Sequence, residues 1–174
     1  MVILCVDTLL FWCILLGMRK RKHRKHYALV NPLLHAIEGA AVTDKESLDK
    51  LRQAELMAIE SFRTGKATVD DWIKVSEMCN LAESMACDGI GPEALEATKR
   101  TQDALIDAYN RYVQTGKMGT SGQGLNAFRD IYQYHDLQRQ SISRSTYEKH
   151  IMKVVNKVKS KSPDVLFMSR KGAT

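Results

Sequence analysis

The stretch Gly65-Lys66-Ala67-Thr68-Val69-Asp70-Asp71-Trp72 stops one helix and opens another within a few residues, and that reading sets the fold class. Glycine closes helices readily because it enters the left-handed region without a Cβ penalty. Thr68 suits an N-cap, since its hydroxyl can accept an amide hydrogen that the first turn leaves free. Asp70 and Asp71 follow where the positive end of the helix dipole favours carboxylates. From there Val69, Trp72, Val75 or Ser76, Cys79, Ala82 and Met85 recur at three- and four-residue intervals, which predicts one buried stripe. Upstream, Thr43-Asp44-Lys45-Glu46 has the form of a capping box. The helix it opens is expected to bury Leu48, Leu51, Ala54 or Glu55, Ala58 and Phe62 before stopping at Gly65.

Downstream, the helix begun at Thr68 breaks at Asp88-Gly89-Ile90-Gly91. Pro92 suits the first position of a third helix running to about Thr115, with Leu95, Thr98, Gln102 or Leu105, Ala108 or Tyr109, and Tyr112 inward. Residues 116–124 contain four glycines and read as a flexible connector. A phosphate-cradling loop would need a preceding strand and a lysine after the last glycine, whereas Lys117 follows the first. A fourth helix runs from Leu125 through Phe128, Ile131, Tyr132 and His135 towards Gln140. Ser145-Thr146-Tyr147-Glu148 reads as a second capping box, opening a fifth helix with Tyr147, Ile151, Val154, Val155 and Val158 on its stripe. A short helix is also expected from Asn31, with Pro32 first, to Ile37.

Composition agrees, at 44% apolar, 26% charged and 3 prolines, without the β-branched clusters that strands need. Short connections make neighbouring helices antiparallel. The expected fold is all-α, a compact antiparallel bundle of four to five helices with basic, partly disordered termini. The expected organisation is an apolar leader over 1–17, a basic tail over 18–30, a helical domain over 31–158 and a basic disordered tail over 159–174.

The leader is open to three readings. Val2 to Gly17 is apolar but interrupted by Asp7, and is shorter than the roughly 20 residues of a membrane span. Its positive charge follows rather than precedes the apolar run and no Ala-x-Ala closes it, unlike a signal peptide. It is an artefactual extension before a start at Met18, an N-terminal membrane anchor, or a core helix. An inserted anchor would leave the domain on the cytoplasmic side of an inner membrane, by the positive-inside rule. Otherwise the protein is expected in the cytoplasm, and its four cysteines, with no Cys-x-x-Cys pair, suit a reducing compartment. Contact with a membrane is expected only if residues 2–17 are translated and inserted.

Charge is segregated along the chain. Residues 1–26 carry six Lys or Arg against Asp7, residues 27–148 carry thirteen against eighteen acidic residues, and residues 149–174 carry seven against Asp164. Cationic ends on an acidic body suit a polyanionic partner, because tails neutralise phosphates while the body stays clear. The alternative is that the ends are simply solvated. The nucleic-acid-binding candidates are Arg19, Lys20, Arg21, Lys22, Arg24 and Lys25 near the start, and Ser143, Arg144, Lys149, Lys153 and Lys157 later.

The stretch from Asp136 to Ile151 resembles the second half of a helix-turn-helix, with Ser141, Ile142, Ser143 and Thr146 at the turn and the start of the recognition helix. Leu137, Gln140 and Ser141 depart from that pattern, and the alternative is a plain turn between two helices. His135-Asp136 lacks the further ligands of a metal-dependent phosphohydrolase. No catalytic residue, metal site or cofactor is expected, and an enzyme is not expected.

The basic opening Met18-Arg19-Lys20-Arg21, the segment Gly65 to Trp72, Asn80-Leu81-Ala82-Glu83, Gln102-Asp103-Ala104-Leu105 and His135-Asp136-Leu137-Gln138 together resemble a group of small uncharacterised helical proteins. These occur in bacteria, prophages and mobile elements and are sometimes labelled Fis-type transcriptional regulators. The resemblance spans about residues 18 to 155. It implies a start at Met18 and transfers no site residue. The expected function is a nucleic-acid-binding, transcription-regulator-like accessory protein acting through its basic termini. The alternatives are a non-enzymatic module binding a protein partner, of phage or mobile-element origin, and a single-pass inner-membrane protein.

Overall fold

A computed structural model of the protein describes residue 41, residues 44–163, and residues 165 and 166. The leader, the basic run at 19–25, the short helix expected at 31–37 and the last eight residues lie outside the described residues. Among the described residues there are five α-helices and no strand: α1 (Lys45–Arg63), α2 (Val69–Cys87), α3 (Ala94–Thr115), α4 (Gly122–Ser141) and α5 (Arg144–Lys159). None is long and apolar enough to cross a membrane.

Capping chemistry decides where each helix begins. Thr68 caps α2 in a reciprocal box: its backbone amide donates to Asp71 at 2.9 Å, and its hydroxyl accepts from the Asp71 amide at 3.3 Å. The box expected at Thr43 is displaced by one residue. Asp44 is the N-cap of α1, accepting from the Ser47 amide at 2.9 Å, while Glu46 takes Lys50 as its partner. The box expected at Ser145 is displaced by two. Ser143 caps α5 through the Thr146 amide, and Glu148 reaches Arg144 instead of a free amide. Helix α3 begins at Ala94 rather than Pro92, with no side-chain cap. The connector expected over 116–124 is shorter, because Ser121 caps α4 through the amide of Gly124. Gly124 lies buried in the first turn of α4, where a Cβ would stand 3.0 Å from that of Ala104 and collide with the Thr120 hydroxyl.

Helix α2 packs against each of the other four and buries side chains around most of its circumference. Cross-contacts give the directions. Trp72 and Cys79 of α2 meet the carbonyls of Leu105 and Thr98 on α3, Thr101 and Ala104 of α3 lie against Ala127 and Gly124 of α4, and Phe62 and Arg52 of α1 meet Phe128 and Asp136 of α4. In each pair residue numbers rise on one helix as they fall on the other, so the helices are antiparallel.

The core gathers Ala58, Ile59, Phe62, Trp72, Val75, Met78, Leu105, Phe128 and Ile131. The rings of Phe62 and Phe128 meet edge to face with centroids 5.0 Å apart, and the Trp72 indole donates to the Leu105 carbonyl at 2.8 Å. Two expected core positions are turned outward: Leu51 is 39% exposed and Leu95 is 42% exposed. Ile59 is buried on α1, and on α3 the small side chains of Ala94, Ala97, Thr101 and Ala104 let the backbones approach closely.

The domain, expected to end at 158, continues to Leu166. Val165 is buried and Leu166 lies against the core. The buried amide of Asn80 holds this strap, donating to the Leu166 carbonyl at 2.8 Å and accepting its amide at 3.3 Å. An amide side chain inside a bundle needs such partners, and a passing backbone supplies a donor and an acceptor together.

Candidate functional site

Charged side chains gather at two seams. The first joins α1 to α4. Arg139 is almost wholly buried and forks onto Glu55, with Nη1 to Oε1 at 2.9 Å and Nη2 to Oε2 at 2.8 Å. Arg52 forks onto Asp136 at 2.8 and 3.0 Å, and Asp136 also accepts from Arg139 and Gln140. His135, fully buried, lies beside this chain. Its Nε2 is 3.3 Å from the Tyr147 hydroxyl of α5 and 3.6 Å from Glu55.

Burial dominates the ionisation here. It pushes the His135 imidazole well below its ordinary range, with the Arg139 charge adding to the effect, so the ring is neutral. It also raises the Glu55 carboxyl despite Arg139. At Asp136 burial acts upward too, but the hydrogen bonds and charges of Arg52 and Arg139 outweigh it and leave the carboxyl below its ordinary value. The fork geometry and the lost solvent make this seam a fixed part of the fold.

The second seam joins α2 to α5. Asp88, at the C-cap of α2, takes the Lys153 ammonium on both oxygens at 2.8 and 2.9 Å. His150 accompanies them, with Nδ1 3.0 Å from the Ser84 hydroxyl and 3.9 Å from Asp88. Serine, histidine and aspartate together invite comparison with a charge-relay triad. Here Ser84 and Asp88 both address the same nitrogen, so the carboxylate cannot orient the ring while the opposite nitrogen activates the hydroxyl. Among the described residues, no group of three His, Cys, Asp or Glu side chains could hold a metal ion.

Beside this seam a cleft of about 570 Å³ opens between α2, α3, α5 and the strap. It is lined by Lys153 and Lys157 of α5, Glu83 of α2, Asp103 and Ile106 of α3, and Val165 of the strap.

The candidate residues of α5 and its N-cap have different surroundings. Ser143 is committed to the cap, its hydroxyl also meeting Ser145 and Thr146, so it faces the turn. Arg144 is exposed and paired with Glu148. Lys149 is exposed, Lys153 is held by Asp88, and Lys157 lines the cleft. Arg19, Lys20, Arg21, Lys22, Arg24 and Lys25 lie outside the described residues. Asp88, His150 and Asn80 carry no local signal of these contacts, because their partners are about 65 to 86 residues away in the chain.

No family model matches the chain, and no curated protein or solved structure matches it.

Proposed function

We propose that the protein is a nucleic-acid-binding accessory protein that contacts the phosphate backbone through the basic side of α5 and the basic ends of the chain. The observation carrying this reading is the recurrence of lysine at 149, 153 and 157, one per turn along one side of α5. Residues 143–166 carry six Lys or Arg against two acidic residues, whereas residues 44–142 carry twelve against sixteen. A cationic helix on an acidic body sets the orientation of approach, since the body is repelled where the helix is attracted. Contacts to phosphate carry no sequence information, so binding is sequence-tolerant. Arg19, Lys20, Arg21, Lys22, Arg24 and Lys25 are six further cations near the start of the chain.

Titrating the full chain into a fluorescent DNA duplex tests this. Binding is expected at about 50 mM salt, with the logarithm of the affinity falling linearly as the logarithm of salt rises. Absence of binding at that salt discards the reading. A protein-interaction module has one observation in its favour, the exposed row of Ile106, Tyr109 and Val113 on α3. A defined protein partner lost on Val113→Glu, with no duplex binding, would select it.

A further inference from the structure

Asp88 places a carboxylate on the lysine-bearing side of α5. Its two oxygens grip the Lys153 ammonium as the two non-bridging oxygens of a phosphate would. His150 faces the same carboxylate from 3.9 Å, and the charge of Lys157 acts on it from one turn further along α5. At 100° per residue, His150, Lys153 and Lys157 fall within about 60° of arc, so one side of the helix converges on one anion. That anion comes from another helix and belongs to the chain itself.

The pair is also exchangeable. Lys153 and Asp88 are 43% and 46% exposed, so water and salt reach both, and an ion pair in that setting is held weakly. An incoming phosphate can therefore replace the carboxylate without opening the core.

We propose that Asp88 is a built-in competitor for nucleic-acid phosphate, an autoinhibitory contact that occupies Lys153 until a polyanion displaces it. The inference rests on the basic face of α5 being the binding surface. It makes affinity depend on a carboxylate that does not itself touch the ligand. It also raises discrimination against isolated anions: a single phosphate exchanges one partner for another, whereas a backbone engages Lys149 and Lys157 in the same event.

The test compares the full-length wild type, Asp88→Asn and Asp107→Asn in duplex binding by fluorescence anisotropy, with thermal unfolding of each. Asp107 is exposed on α3, so its variant makes the same change in net charge away from Lys153. Asp88→Asn is expected to bind about two- to fivefold tighter than both other proteins, the range that one exposed ion pair spans. Equal affinities for the two variants would overturn the inference while leaving the basic-face reading intact. So would a lower melting temperature for Asp88→Asn without tighter binding, which would make the contact a structural staple only. Failure of all three proteins to bind would overturn the basic-face reading and this inference with it. Binding by Asp88→Asn alone would support the autoinhibition directly.

Discussion

The α1–α4 seam and the α2–α5 seam are built from the same parts, a carboxylate gripping a cation in two-point contact with a histidine beside them, and they differ in access to water. The Arg139 side chain at the first is 1% exposed, whereas that of Lys153 at the second is 43% exposed. A buried pair cannot be broken singly without stranding a charge in a poor solvent, while an exposed pair trades its partner for water or salt at little cost. The first seam therefore belongs to the fold, and the second can exchange its partners.

The sharpest way to separate them is to remove one cation from each. Arg139→Met should lower unfolding free energy by about 3–5 kcal/mol, because Glu55 is left buried without its counter-charge. Replacing both, as Glu55→Leu with Arg139→Met, should recover most of that loss in the same urea titration. If the double variant is as unstable as the single one, the seam contributes something besides charge pairing.

Next in size is the pH dependence. His135 is neutral in the fold and its pKa is held well below the unfolded value near 6.5, so its contribution is fully present above that pH. Stability should fall as pH drops below about 6.5, with a slope of up to about 1.4 kcal/mol per pH unit for the one proton involved. Glu55 acts in the opposite sense, since its raised pKa lets the folded protein take up a proton before the unfolded chain does. The His135 contribution is read from the difference between wild type and His135→Asn across that window. The pKa of His150 is lowered chiefly by burial but is partly supported by Asp88, and His150→Asn should change the slope less. Equal effects from the two histidines would erase the distinction between the seams.

The smallest effect belongs to the exposed pair. Lys153→Gln should change stability by less than about 1 kcal/mol in urea denaturation.

The same contrast explains which parts of the structure were legible in the sequence. Helix α2 reads directly because Thr68 and Asp71 are three residues apart and its apolar positions repeat locally. Leu51 was expected inside because periodicity favours leucine over its polar neighbours. Glu55, one of the expected inward positions, faces α4, and Arg52 rather than Leu51 accompanies it; Arg139 and Asp136 satisfy them across 84 residues of chain, and Leu51 is turned outward. Two helix starts shifted because the alternatives are chemically alike: Asp44 serves as well as Thr43, and Ser143 as well as Ser145. Gln138 gave no local sign of its role. From α4 it donates to the Ile90 carbonyl at 2.7 Å beside Gly91, which holds φ at 61° and would place a Cβ 3.1 Å from the Gln138 side chain. At the candidate site the lysines of α5 were visible and their partners were not, since Asp88 and His150 meet only when α2 and α5 pack.

The most direct test of the division between a structural seam and an exchangeable one is a single variant, Lys149→Gln/Lys153→Gln/Lys157→Gln, measured for both duplex affinity and urea midpoint. The account predicts at least a roughly tenfold loss of affinity at about 50 mM salt, with a midpoint close to wild type. A midpoint that falls sharply while affinity is unchanged would contradict it.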